Sequence, residues 1–361
     1  MGTNGYNTQN TQKSNFLSVK KLSNLTVIIP AYNEEKSIAD TIMSLKNQTV
    51  PPDEIIVVDD CSTDNTFEVA LELGVTVIRP PYNTGSKAGA QNYALKDVTT
   101  QFTMAIDADT ILESDAVEKM LNALKASNAA AVCGFVLPRY VKTVWERGRY
   151  IEYLFAFSFY KQIQDYYEKP LISSGCFSAY RTDILKQNGG WSNRTLAEDV
   201  DLTWSFYELG RKVVFVPEAF AYPIEPHNFS LMKKQLKRWS HGFIQNVCVH
   251  WSKIARIRYL RLLIAIAMWD GIFASVAYLL LLPLLAILFA NPLFLFGYVI
   301  DAPAVLIPAL LHMRSKKEGG LILTSISSFF VLRTINSIFM LEAMWSELIL
   351  RRRFAMYEKG H

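Results

Sequence analysis

Apolar residues are spread very unevenly along this 361-residue chain, and that unevenness limits its architecture more than any motif does. Residues 262–289 are apolar except for Asp270. At about 1.5 Å per residue, a helix of that length exceeds the ~30 Å hydrocarbon core of a bilayer. Pro283 is expected to kink or end it. Residues 292–311, carrying Asp301, Pro303 and Pro308, form a second candidate span, and residues 321–341, with Arg333 inside, a third. One such run is compatible with a buried core helix. Three in succession point to a membrane region. The basic stretch Arg314-Ser315-Lys316-Lys317 is expected on the cytosolic side, and the uncharged link at residues 290–292 on the far side. That makes two crossings. Arg351, Arg352 and Arg353 favour a cytosolic C-terminus, which requires a fourth crossing or a re-entrant hairpin within residues 321–350. Arg333 and Glu342 are costly against lipid and are expected to face protein or water.

The rest of the composition narrows the class. The formal net charge is only +4. A nucleic-acid partner is not expected, because such proteins carry a larger basic excess along one face. Here Lys233, Lys234, Lys237, Arg238, Lys253, Arg256, Arg258 and Arg261 gather just ahead of the apolar region, which suits membrane lipids at a cytosolic boundary. Any one of these lysines also reads as part of a solvated helix face. Residues 1–24 are polar and cannot bury enough apolar surface to offset ordering, so they read as a disordered tail. They show no charged-then-apolar pattern, and no cleavable signal peptide is expected. Cys61, Cys133, Cys176 and Cys248 lie far apart without a CxxC pair, so reduced thiols are the simplest account. Residues 140–167 carry Trp145, Tyr150, Tyr153, Phe155, Phe157, Phe159, Tyr160, Tyr166 and Tyr167 among charges. They read either as a helix at the membrane interface or as an ordinary core helix.

Residues 25–225 alternate strand-like and helix-like stretches. Residues 25–30 form a short β-branched run that reads as a buried strand. A helical pattern with Ile38, Ile42 and Leu45 follows. Residues 54–59 are a second buried strand, residues 69–79 a further helix–strand unit, and residues 103–107 another strand. This order implies a doubly wound, mainly parallel α/β sheet, whose ligands bind at the carboxyl ends of the strands. Glu34, Asp59, Asp60, Asp107 and Asp109 all fall at those ends. Asp107 and Asp109, one residue apart, can approach one cation. Mg²⁺ commonly takes one or two carboxylates and completes its shell with water and phosphate. Helix capping is the ordinary alternative for such a pair. Glu198, Asp199 and Asp201 open a helical stretch, where acids favour the N-terminus electrostatically. One of them can also serve as a base toward an acceptor hydroxyl. Gln235, Arg238 and Trp239 share one helix face. Arg offers a fork for phosphate, and Trp offers a flat surface for a sugar ring or an anchor at the headgroup level.

Taken in order, these residues resemble the family-two inverting glycosyltransferases of GT-A fold. The likeness is to the membrane-integrated branch with cellulose, chitin, hyaluronan and poly-N-acetylglucosamine synthases. The resemblance rests on Val27-Ile28-Ile29-Pro30-Ala31-Tyr32-Asn33-Glu34-Glu35, the turn from Asp59 to Asp64, the loop from Gly85 to Asn92 with Ser86 inserted, and Asp107 with Asp109. It also rests on Ser173-Ser174-Gly175-Cys176, on Glu198-Asp199 and on Gln235, Arg238 and Trp239. It implies Asp199 as the catalytic base. It implies donor contacts at Ala31, Tyr32, Glu34, Asp59, Asp60, Lys87, Asp107, Gln235 and Arg238. Gly175, Cys176, Glu198 and Trp239 would meet the acceptor, and Asp107 and Asp109 would hold Mg²⁺ or Mn²⁺. The donor implied is a UDP-sugar.

The expected organisation is a tail (1–24), a GT-A catalytic domain (25–225) and amphipathic interface helices (226–259). Three to four transmembrane segments (260–350) and a basic C-terminal tail (351–361) follow. The catalytic domain is expected in the cytosol. The acceptor is a growing polysaccharide or, as alternatives, a lipid, a polyprenyl-linked sugar or a protein. A nucleotidyltransferase is the competing enzyme class, but it normally carries a Gly-rich, Arg-containing loop where residues 31–35 stand. No GxGxxG marks a dinucleotide site. A non-catalytic scaffold has no use for Asp107, Asp109, Asp199, Arg238 and Trp239 together.

Overall fold

The computed structural model describes residues 23–313 and 316–355. The first 22 residues of the expected tail, residues 314–315 of the basic loop and residues 356–361 of the C-terminal tail lie outside the described residues. Four strands form the parallel block of one sheet: β1 (Leu25–Ala31), β2 (Glu54–Asp59), β3 (Thr76–Ile78) and β4 (Phe102–Ile106). They are joined by α1 (Ile38–Lys46), α2 (Thr66–Glu72) and α3 (Lys87–Leu95). Alternate residues of these strands serve opposite cores. Val27, Ile29, Val57 and Met104 pack on one face, and Ile28, Ile56, Val58 and Ala105 on the other. A continuous apolar run is what a strand buried on both faces requires. Ala31 pairs with Asp59 across β1 and β2, so the two acidic loops start at one level.

Beyond β4 the sheet is mixed. Its further elements are β5 (Ile111–Leu112), α4 (Ala116–Ser127), β6 (Ala131–Val136), α5 (Val144–Phe155) and, after a π turn at Ala156–Tyr160, α6 (Lys161–Tyr166). Then come β7 (Phe177–Arg181), α7 (Thr182–Gln187), α8 (Glu198–Glu208) and β8 (Val213–Tyr222). The strand order is β3-β2-β1-β4-β7-β6-β8-β5. The parallel block matches the expected winding, but β7 runs antiparallel to both of its neighbours. Its start therefore lies beside the end of β4, with Ile106 opposite Phe177. This places Gly175 and Cys176 against Asp107, which follows β4.

The 26-residue helix α9 (Phe229–Ile254) carries Gln235, Arg238 and Trp239 and lies against α8. Asn228 caps it by accepting the Leu231 amide hydrogen. Three apolar stretches follow, long enough to cross a membrane: Leu260–Leu288, Pro292–Leu311 and Lys316–Ile349. The first holds α10 (Leu260–Val276), a π turn (Ala277–Leu281) and α11 (Leu282–Leu288). Pro283 neither ends nor breaks it. In the π register, the Leu282 amide bonds to the Ala277 carbonyl. Pro283 then has no hydrogen for the Tyr278 carbonyl, and the Tyr298 hydroxyl donates there instead, at 2.5 Å. The second stretch is a 3₁₀ helix (Pro292–Val299) followed by α12 (Ala302–Leu311).

The third stretch differs from the expected hairpin. α13 (Lys316–Met344) continues through a π turn to Ile349 as one helix. Arg333 sits within it because it pairs with Asp301 and stacks over Tyr278. α13 also clamps the catalytic domain. A Cβ at Gly148 of α5 would fall 2.7 Å from the Ser328 carbonyl oxygen, so only glycine permits this crossing. The aromatic stretch around α5 divides between core and surface. Tyr150, Ile151, Leu154 and Phe157 are buried, while Phe159, Tyr160 and Tyr166 remain open.

Candidate active site

The loops after β1 and β2 are stitched together. The Asn33 amide donates to the Ser62 hydroxyl, and the Thr63 amide donates to the Asn33 side chain. The buried Glu34 accepts from the Ser37 hydroxyl at 2.6 Å, while Tyr32 is exposed. Asp59 accepts from the Ser62 amide and pairs with Arg79. Asp60 accepts both the amide and the hydroxyl hydrogen of Thr84, at 2.8 and 2.9 Å. It thereby ties the second loop to the third. There Gly85 takes a left-handed φ of +74°, and Ser86 caps α3 by accepting from Gly89. Ala31, Glu34, Asp59 and Asp60 thus line one rim, and these carboxylates carry internal contacts.

Lys87, the first residue of α3, gathers the other candidates. Its ammonium pairs with Asp107, donates to the Gly175 carbonyl at 3.0 Å and stands 3.9 Å from Glu198. Asp199 accepts the Gly175 amide hydrogen at 2.9 Å and the Val200 amide hydrogen at the same distance. A Cβ on Gly175 would come within 3.2 Å of both the Asp199 carboxylate and the Lys87 ammonium. Burial raises the Glu198 carboxyl above its ordinary range and Asp199 adds to this, against Lys87 and Arg238. Burial also lifts the Cys176 thiol well above its usual value, with Asp107, Glu225 and Asp109 reinforcing it and Lys87 opposing. Thr84, Lys87, Asn193, Thr195, Glu198 and Ala355 line an adjoining cavity of ≈ 170 Å³.

A divalent cation fits this chemistry. Asp107 already takes a cationic partner in Lys87, and Asp109 is buried close by. Among the described residues, no three His, Cys, Asp or Glu side chains gather about one point. A pair of carboxylates suits a cation that draws its remaining ligands from phosphate and water.

The helix α9 places the Gln235 side chain against Arg149 and Glu225. Its carbonyl accepts from Arg149 at 2.6 Å and its amide donates to Glu225 at 3.2 Å. Both polar groups of the Gln235 side chain are thus engaged inside the protein. Arg238 acts electrostatically on Glu198. Trp239 lies under the Arg149 guanidinium, 4.5 Å from its ring centre.

Residues 26–189 match the model of glycosyl transferase family 2. Over these residues the chain is similar to the family 2 glycosyltransferases. Among curated relatives, poly-beta-1,6-N-acetyl-D-glucosamine synthase of Staphylococcus epidermidis is 26% identical over 228 residues, which is 62% of this chain and 55% of that protein. The probable glycosyltransferase YdaM of Bacillus subtilis (strain 168) is 31% identical over 237 residues, 62% of this chain and 56% of that one. The chain thus spans about half the length of the curated relatives it matches. Among solved structures, mannosyltransferase PcManGT from Pyrobaculum calidifontis, in complex with GDP-Man and Mn²⁺, is similar with a TM-score of 0.58 at 19% identity. It covers 91% of this chain and 88% of that one, and the likeness is one of fold, the GT-A fold.

Within the sheet domain and its helices, sequence reasoning missed Arg149, Glu225, Tyr153 and Gln245. Arg149 and Glu225 are charged yet buried, and nothing in the local pattern separates Arg149 from Arg147 two residues earlier. Gln245 accepts the Leu196 amide hydrogen, just before Glu198, and donates to Glu347 and to the Phe354 carbonyl. One side chain so joins the Glu198-Asp199 loop, α9 and the segment after α13. A glutamine spaced ten residues from Gln235 gave no signal of this.

Proposed function

We propose that the protein is a membrane-anchored, inverting glycosyltransferase that moves a sugar from a UDP-sugar onto a growing glycan at the cytosolic membrane face. The observation that carries this reading is the placement of Asp199. Its carboxylate is oriented by the Gly175 amide, directly beside the Lys87–Asp107 pair. A base and a cationic, phosphate-directed site therefore adjoin, as one in-line displacement requires.

The acceptor hydroxyl attacks the anomeric carbon. Its proton passes to the Asp199 carboxylate, the new glycosidic bond forms, and the bond to the diphosphate oxygen breaks. A single displacement without an enzyme nucleophile inverts the anomeric centre. Lys87 and Arg238 bring positive charge to the leaving diphosphate. Asp107 and Asp109 would hold Mg²⁺ or Mn²⁺, which supplies further positive charge to that diphosphate when bound. Trp239 offers its part-exposed ring to the acceptor sugar. A glycan acceptor is supported by the curated relatives named as poly-beta-1,6-N-acetyl-D-glucosamine synthases.

The test is nucleoside diphosphate release by the full chain in detergent with Mg²⁺ or Mn²⁺. A panel of nucleotide sugars is supplied with and without membrane lipid extract, and products are sized. A lengthening glycan from a UDP-sugar supports the reading. Lipid-dependent addition of a single sugar replaces it with glycolipid synthesis.

A further inference from the structure

Arg149 is a costly residue where it stands. It is 0% exposed, and taking a guanidinium out of water costs several kcal/mol unless partners repay it. Apolar packing alone already joins α5 to α9 here, through Trp145, Met232 and Leu236. A methionine would extend that contact at less cost. What arginine adds is direction, because its planar fork orients partners that a flexible apolar chain cannot.

Two edges of the fork are hydrogen-bonded, and the third, at Nε, makes only a longer ion pair. The guanidinium donates to the Gln235 carbonyl at 2.6 Å, pairs with Glu152 and stands 3.5 Å from the Glu225 carboxylate. Glu225 is itself buried and is held by the Tyr153 hydroxyl at 2.8 Å and by Gln235 at 3.2 Å. The triangle Arg149–Gln235–Glu225 is therefore closed. The guanidinium carbon lies over the Trp239 ring, 4.5 Å from its centre, and 5.5 Å from that of Tyr153. Burial favours loss of the arginine proton, but Glu152, Tyr153 and Glu225 outweigh it and keep the charge. Next in sequence, Gly148 pins α5 to α13, so the position of the fork is set by the membrane-spanning helix.

We propose that Arg149, braced by Glu225 and Gln235, is a positioning residue that fixes the plane of Trp239 and so registers the acceptor platform to the membrane helix α13. This rests on the reading of Trp239 as the acceptor surface. Arg149 covers one face of the indole and leaves the part-exposed remainder to a sugar. The cation–π contact resists tilting of the ring, and the bonds to Gln235 hold the helix turn from which the ring projects.

The experiment labels the full chain with 5-fluorotryptophan and follows the seven tryptophans by ¹⁹F NMR in detergent, assigning Trp239 from Trp239→Phe. In Arg149→Met, the Trp239 signal is expected to shift and broaden while the other six stay in place. Arg149→Lys, which keeps the charge and loses the fork, should give a smaller change in the same signal. An unmoved Trp239 signal overturns the proposal. Displacement of all seven signals in both variants overturns it too, because Arg149 then serves the fold at large. A kinetic arm uses UDP-N-acetylglucosamine and an N-acetylglucosamine oligosaccharide as probes. Arg149→Met should raise the acceptor KM about ten-fold with donor hydrolysis within about two-fold, and this increment should vanish in a Trp239→Ala background. If Trp239→Ala alone leaves acceptor KM unchanged, the acceptor-surface reading fails, and the ¹⁹F result still decides whether Arg149 positions the ring.

Discussion

Gly175 touches Asp199 through its amide hydrogen at 2.9 Å while its own carbonyl accepts from Lys87 at 3.0 Å. One residue without a side chain thus spaces the carboxylate from the ammonium. Gly175→Ala should push them apart by a few tenths of an ångström, since the added Cβ would lie 3.2 Å from each. Misplacement on this scale is expected to lower turnover about ten-fold with little change in melting temperature. Steady-state kinetics alongside a thermal melt check it, and a cold melt with normal turnover per folded molecule contradicts it.

Asp199→Asn retains the shape but cannot take a proton, and its single carbonyl oxygen can keep only one of the two bonds from the Gly175 and Val200 amides. Transfer should fall by about 10²–10⁴-fold while nucleotide binding, read by calorimetry with UDP, stays near its original value. Turnover close to that of the unaltered protein removes Asp199 as the base.

Asp201 joins α8 to α9 by accepting three hydrogen bonds from Arg194, at 2.7–3.0 Å, and by pairing with His250. Burial raises its carboxyl, yet the bonds from His250 and Arg194 outweigh that and hold it below its ordinary 3.8. A depressed folded value means that this stabilisation is complete above pH 3.8 and is lost as pH falls through the folded value. Asp201→Asn should destabilise the protein by about 3–5 kcal/mol at neutral pH and should flatten the fall in melting temperature at acid pH. Parallel acid-side slopes in the two proteins would speak against the assignment.

The Tyr298 hydroxyl replaces the amide hydrogen that Pro283 lacks. Tyr298→Phe should cost about 1–3 kcal/mol, the usual penalty for an orphaned buried acceptor. In a Pro283→Ala background the restored amide can serve the turn, so the same change should cost little. A double-mutant cycle of unfolding in detergent measures the coupling. Additive losses mean that the carbonyl is satisfied in some other way.

Much of the fold was legible because its signals are local. The span of β2 coincides with residues 54–59, and the spacing of Ile38, Ile42 and Leu45 marks α1. The first apolar run, read as 262–289, is Leu260–Leu288. The re-entrant hairpin, offered with a fourth crossing as a way to bring residues 351–353 to the cytosol, is not what α13 forms, and Arg333 lies inside one continuous helix. Its partners, Asp301 and Tyr278, lie on other segments and make a continuous helix tolerable. Gln235 illustrates the same limit. Its helix face was legible, but the neighbour that engages it, Arg149, lies 86 residues away.

By itself the sequence determined which segments are buried on both sides, which are amphipathic and which are long enough to span a bilayer. Those properties depend on side-chain spacing and apolar length, which one stretch of chain displays alone. Only the tertiary structure decided that β7 runs backwards beside β4, bringing Gly175 and Cys176 to Asp107, and that a buried Arg149 lies over Trp239. Each of these joins groups from distant segments. A contact of that kind is selected by the packing of the whole domain and leaves no periodic trace in either segment.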